Sequence, residues 1–194
     1  LAKVSPDDDR PMVKIQMHHL SGASRYARTK QAGMDLYPGF AIGFFQLRPQ
    51  SRGWVHAATP SALDDPHMDP RYLDHPEDEH TMLAALALAR KVVGQKPLAA
   101  LTLRETRPGP DVTSERALIN YIRQSGQTSW HPIGTCKMGT DAMAVVDQRL
   151  RVRGVTGLRV VDSSIMPTMP SPNTNAGSIM VGEKGASMIL EDAR

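Results

Sequence analysis

The chain has 194 residues, with 23 Lys and Arg against 20 Asp and Glu (net +3), and 40% of its side chains are apolar. That suffices for one large domain or one and a half smaller ones without disulfide staples; composition excludes bulk disorder, collagen and coiled coil, and no apolar run approaches the roughly 18 residues of a membrane span. The single Cys136 excludes an internal disulfide framework and a Cys-rich zinc site, and the dispersed charge argues against nucleic-acid binding.

The chain opens LAKVSPDDDRP, with Leu1 in the place of an initiating methionine, no basic start and no apolar signal core. A cytoplasmic location is the default expectation. Residues 1–35 are poor in apolar side chains and carry His18, His19, Arg25, Arg28 and Lys30. They read as a loop or mobile segment, with one short apolar stretch at 12–17. From Leu36 to Leu47 the sequence turns β-favouring (Tyr37, Phe40, Ile42, Phe44, Phe45), RPQSRG supplies turn chemistry, and the pattern resumes over 54–58. Two strands so joined predict an antiparallel sheet with one covered face.

Residues 59–72 read as irregular, with Pro60, Pro66 and Pro70 among Asp64, Asp65 and Asp69. The segment DHPEDEH then predicts a helix capped by Asp74, with Pro76 in the first turn and Glu77, Asp78 and Glu79 complementing the dipole. Met82, Leu86, Ala89 and Val93 recur at helical spacing until Gly94. RPGPDVTSER repeats the signal, with Thr113 or Ser114 capping a shorter helix through Ala117, Leu118, Tyr121 and Ile122. Both helices are expected on one face of the sheet. After Gly126 the chain is dense in Gly, Pro, Thr and Met. A short strand is predicted over 158–161, ending at Asp162. From Asn175 a last helix places Ile179, Met180, Ala186, Ile189 and Leu190 on one face. Gly177, Gly182 and Gly185 interrupt it at a cost of about 1 kcal/mol each, which implies close approach to another backbone or a ligand.

Two clusters near the C-terminus could carry chemistry. In SWHPIGTCKMG, His131 lies between Trp130 and a proline that restricts its backbone; it reads either as a general base or as a structural histidine bonded to a neighbouring carbonyl. In VVDSSIMPTMPSPNTNAGSIMVGEKGA, a strand ends at Asp162 and Asn173-Thr174-Asn175 opens a helix whose N-terminus suits an anion or an electron-rich ring edge. Asn173 or Asn175 equally reads as a plain helix cap. Cys136 has a basic neighbour, Lys137, or is a packing residue. Asp64, Asp65, His67 and Asp69 fit a surface loop better than a hard-cation site, and no metal site is expected.

Taken together, the stretches HPIGTCKMG, VVDQRLRVRGVTGLRVVDSSIMP and SPNTNAGSIMVGEKGASMI resemble the C-terminal signature of the glucose–methanol–choline (GMC) family of flavin oxidoreductases, in its choline-dehydrogenase-like branch. LRPQSRGWVHAATPSALDDPHMDPRYL resembles the start of the same region. The four motifs keep the family's chain order from about Phe44 to Leu190. The resemblance implies FAD as cofactor and an alcohol as substrate. It implies His131 as the base that removes the hydroxyl proton while hydride passes to flavin N5, Asn173 as the donor to the substrate oxygen, and Trp130 as a pocket residue. Asp162, Asn175 and Ala176 match positions that touch FAD.

No G-x-G-x-x-G turn, which in this family holds the adenosine diphosphate half of FAD, occurs in the chain. The expected partner is therefore an N-terminal FAD-binding portion of the same enzyme, without which this chain is expected to be inactive. The fold expectation is α+β: an antiparallel sheet with packed helices forming a substrate-binding domain over residues 36–153, then a strand and helix over 154–194 that complete an FAD-binding α/β domain. A non-catalytic fragment unable to hold FAD alone and a hydroxynitrile-lyase-type member of the same family are the alternatives.

Overall fold

The computed structural model describes residues 1–22, 33–171 and 173–194. The basic residues Arg25, Arg28 and Lys30 lie outside them. The fold is mixed α and β, with two small antiparallel sheets and four α-helices among the described residues. The chain divides into two compact units, one formed by Leu1–Ser51 with Leu73–Gln127 and the other by Arg52–Tyr72 with Thr128–Arg194.

In the first unit, β1 (Val13–His18) pairs antiparallel with β2 (Ala41–Gln46), in register from Val13 opposite Gln46 to His18 opposite Ala41. The segment expected to be loop thus supplies a strand. Its apolar content is low because β1 needs few anchors: Val13 is fully buried, and so is Leu47, whose N–H donates to Met12 O at 2.9 Å and extends the ladder. The expected pairing of 36–47 with 54–58 is therefore corrected, since β2 pairs backward along the chain with β1.

The helix α1 (Pro76–Val93) runs to Gly94 as expected, but its cap is His75, whose Nδ1 accepts from Glu77 N at 3.2 Å, and not Asp74. Its buried stripe is Asp78, Thr81, Ala85, Leu86 and Ala89. The small side chains at 85 and 89 let the helix lie close on β2 and β1. Asp78, read in sequence as a dipole charge, is 1% exposed. Its Oδ1 accepts from Gln46 Nε2 at 2.6 Å and Gln50 N at 2.8 Å, and its Oδ2 accepts from Ser51 N at 2.8 Å and from Ser51 Oγ. Ser51 Oγ in turn accepts from the N–H groups of Asp74 and His75 at 3.1 and 3.0 Å. The turn after β2 is thereby tied to the first turn of α1. Burial pushes the Asp78 carboxyl up, but the donors of Gln50, Ser51 and Gln46 outweigh it and hold it below its ordinary range.

A short helix α2 (Lys96–Ala99) follows. Beyond it, Arg90 gathers the loop before the next helix, donating to both carboxylate oxygens of Glu105 at 3.0 and 2.9 Å and to the carbonyls of Gly109 and Val112 at 3.1 and 3.0 Å. The helix α3 (Glu115–Ser125) starts at Ser114, whose hydroxyl caps Ala117 N. It packs on α1 and not on the sheet, so the expectation of two helices on one sheet face holds for α1 alone. Arg123 holds this arrangement, donating to Glu79 at 2.6 Å and to Leu73 O at 2.8 Å.

In the second unit, β3 (Trp54–His56) pairs antiparallel with β4 (His67–Asp69). Gly53 is required at the end of this ribbon: a Cβ there would lie 2.2 Å from Asp69 O. The core is Val146, Leu150, Ile165, Met166 and Val181, with Ile133, Met138, Val161 and Met188 packed around it. The strand predicted over 158–161 is replaced by a single bridge, Arg151 to Arg159, and a bond from Val160 N to Leu150 O at 3.1 Å. Gly154 and Gly157, at φ of +78° and +76°, turn the chain too tightly there for a ladder to extend.

The last helix, α4 (Thr174–Asp192), begins one residue before the expected Asn175. It buries Thr174, Val181 and Gly185, and leaves Ile179, Met180, Ile189 and Leu190 between 45% and 65% exposed. The apolar face seen in the sequence is thus an exposed one. The inner stripe is chosen for smallness: a Cβ on Gly177 would lie 2.9 Å from Met166 Cε, and one on Gly185 would lie 2.3 Å from Val161 Cγ1. Gly182 meets nothing within 4 Å, and what crowds Gly177 and Gly185 is neighbouring side chains, not the backbone or ligand expected from the sequence. Arg149 ties down the C-terminal end through Glu191 (3.0 Å), Asp192 (2.6 Å) and Met188 O (3.0 Å).

Candidate active site

His131 stands at the head of a loop that backbone bonds fasten to a short 3-10 helix, Ser163–Ile165. Cys136 N donates to Ser164 O at 3.0 Å and Met138 N to Ile165 O at 2.7 Å, while Ser163 Oγ donates to Pro132 O at 3.3 Å. Gly134 takes φ +83°, which lets its Cα side approach Met166 O, and Ile133 packs on the core. Residues 131–138 are therefore fixed by structure on both sides. Lys137 is drawn away to Asp141, at 2.8 Å, and its hydrogen bond with that carboxylate, helped by Met143 N, holds Asp141 below its ordinary range.

The second half of the site is the start of α4. Asn173 holds the N-cap position with extended backbone, yet its side chain makes no capping bond. Asn173 Nδ2 lies 2.6 Å from His131 Nε2. The other ring nitrogen, Nδ1, lies 2.9 Å from Thr174 Oγ1, and Thr174 is 7% exposed. The two polar clusters, more than forty residues apart in sequence, thus meet at one imidazole. The Asn173 side chain therefore reaches the histidine and does not cap its own helix. Asn175 is not the cap either, since it already lies within the helix.

Trp130 adjoins the histidine at φ +58° and 70% exposure, its N–H donating to Thr128 Oγ1 at 3.1 Å. A tryptophan held in the left-handed region is costly, and it turns the indole outward beside the histidine. Asp162 caps the 3-10 helix, its Oδ1 accepting from Ser164 N at 2.7 Å, and is itself exposed. Asn175 and Ala176 are exposed in the first turn of α4. Thr174 was not singled out in the sequence. The signal that could have found it is its place between two asparagines at a helix start, where a hydroxyl and an amide on adjacent residues reach different sides of one neighbour.

Among the described residues no group of three or more His, Cys, Asp or Glu could hold a metal ion, and no helix is long and apolar enough to cross a membrane. Asp64 is bonded to Thr59 Oγ1 at 2.6 Å and Asp69 to Arg71, as a surface loop requires.

Residues 49–182, well over half the chain, match the family described as GMC oxidoreductase. The chain belongs to that family. It is 39% identical over 188 residues to the alcohol dehydrogenase [acceptor] of Pseudomonas putida, covering 97% of this chain and 33% of that protein. It is 37% identical over 178 residues to the oxygen-dependent choline dehydrogenase of Vibrio vulnificus, covering 91% of this chain and 31% of that protein. Among solved structures, pyridoxine 4-oxidase from Mesorbium loti superposes with a TM-score of 0.82 at 28% identity, covering 94% of this chain and 35% of that one. The chain spans about a third of the length of the curated relatives it matches. FAD is the cofactor of GMC oxidoreductases. The residues present fit it: the Asn173 side chain makes no capping bond to its own helix, and Asn175 and Ala176 in the first turn of α4 are exposed at a helix start, which suits an electron-rich ring edge.

Proposed function

We propose that this chain is the substrate-side part of an FAD-dependent alcohol oxidoreductase, in which His131 is the base and Asn173 the donor to the substrate oxygen. The observation that carries the reading is the 2.6 Å contact between Asn173 Nδ2 and His131 Nε2, which brings a proton acceptor and an amide donor to one point beside an exposed Trp130. An alcohol oxygen that displaces this contact accepts the Asn173 N–H in place of Nε2, and its own proton passes to the Nε2 lone pair so released. Negative charge developing on that oxygen is then stabilised by a donor already in place. FAD, when bound, supplies the acceptor for the carbinol hydride. Asn175 and Ala176 would hold its pyrimidine edge at the N-terminus of α4, whose partial positive charge favours reduced flavin, and Asp162 would meet it beside the 3-10 helix.

The partner this requires is the FAD-binding portion that contributes the pyrophosphate site. Relatives named as choline and alcohol dehydrogenases support an alcohol as the substrate class. Anaerobic mixing of the assembled flavoenzyme with choline and with 1-butanol tests the reading. Bleaching of the oxidised flavin band by an alcohol is expected. No bleaching by either probe, with FAD bound at full occupancy, would contradict it.

A further inference from the structure

Thr174 lies outside every role so far assigned, yet its hydroxyl is the second hydrogen-bond partner of His131. With Asn173 placed amide nitrogen toward the ring, donor chemistry gives the direction of both bonds. An amide NH₂ can only donate, so the contact from Asn173 Nδ2 makes His131 Nε2 an acceptor. A neutral imidazole with its lone pair on Nε2 carries its proton on Nδ1. Thr174 Oγ1, 2.9 Å from Nδ1, is then the acceptor of that N–H. We propose that Thr174 is a positioning residue for alcohol oxidation: its hydroxyl fixes the tautomer and tilt of His131, so that the basic lone pair at Nε2 faces the substrate oxygen.

The fold makes the hydroxyl suited to the task. Thr174 is the first residue of α4, is buried, and is β-branched, so its Oγ1 has few rotamers to sample. Ser178 Oγ donates to Thr174 O at 2.8 Å one turn on, adding a side-chain bond to the helix at this residue. During the reaction the alcohol O–H bond breaks and an N–H bond forms at Nε2, while Nδ1 keeps its proton and its bond to Oγ1. The imidazolium that results has a partner already in place on its remote side. Without the hydroxyl the ring is at liberty to flip or to carry its proton on Nε2, where it cannot act as a base.

The inference rests on His131 being the base, and the experiment separates the two. In the holoenzyme with choline and 1-butanol as probes, the limiting rate of flavin reduction and the substrate dissociation constant are read for Thr174→Val, Thr174→Ser and His131→Ala. The loss of one hydrogen bond to the ring predicts a limiting rate lowered about tenfold in Thr174→Val, with the dissociation constant within about twofold of wild type. Thr174→Ser keeps the oxygen and should stay within about threefold of wild type. A Thr174→Val enzyme that holds FAD and reduces it at the wild-type rate would overturn the proposal, as would a Thr174→Ser enzyme as slow as the valine variant. An undiminished rate in His131→Ala would instead overturn the reading beneath it.

Discussion

Asp78→Asn removes one charge and one acceptor from a buried four-donor hub and leaves the shape of the side chain unchanged. The asparagine oxygen can still accept from Gln46 Nε2 and Gln50 N, but its NH₂ then faces Ser51 N and Ser51 Oγ. Ser51 Oγ cannot readily turn to accept, because it already receives the N–H groups of Asp74 and His75. Two charge-assisted bonds are lost and a donor is set against a donor, for a loss of about 3 kcal/mol of stability. Urea unfolding followed by helical circular dichroism at pH 7 should show the midpoint falling by about 1 to 2 M with an unchanged slope. Acid gives a second reading of the same group. Its folded pKa lies below its ordinary value of 3.8, so the wild type holds this stabilisation above that value and loses it as pH falls toward the lower folded one. The gap between wild type and Asp78→Asn should therefore narrow below about pH 4. A stability change under about 0.5 kcal/mol, or a gap that widens in acid, would refute the hub.

The same structure separates two glycines of α4 that look alike in sequence. Gly185→Ala drives a methyl against Val161 and Leu150 in the core and should cost about 1 to 3 kcal/mol in urea unfolding. Gly182→Ala meets open space in a helix and should stabilise by about 0.5 to 1 kcal/mol; equal effects at the two sites would contradict the packing described for α4. Arg90→Lys keeps the charge but cannot span Glu105 and two carbonyls at once, and should cost about 2 kcal/mol, read as a lowered melting temperature. A neutral effect there would mean that the loop over 105–112 is held by something else.

What was legible in the sequence follows from how local each signal is. The span of α1 is written in Pro76, an acidic first turn and Gly94, and Ser114 at the start of α3 is a cap of the preferred type. The family, and with it FAD and the pairing of His131 with Asn173, was legible because four motifs kept one order. Tertiary information was not. The pairing of β2 with β1 depends on a segment whose apolar content is low, and Val13 does the work of several residues by being wholly buried. The inner face of α4 is not legible from periodicity, which rewards large side chains, whereas a close helix contact selects Gly177 and Gly185. Asp78 reads in the sequence only as a helix-dipole charge because nothing local reveals that a turn 27 and 28 residues upstream supplies its donors. Thr174 escaped notice for a similar reason: its hydroxyl matters only once His131, more than forty residues earlier, is set beside it.

The central claim is that His131 takes the hydroxyl proton of an alcohol, and single-turnover reduction of the assembled flavoenzyme carrying His131→Ala tests it most directly. Removal of a positioned general base predicts a limiting rate of flavin reduction lowered by about a hundredfold or more. FAD content should be unchanged, because no FAD contact is assigned to this side chain. A variant that retains its flavin and is reduced by choline or 1-butanol as fast as the wild type would contradict the account.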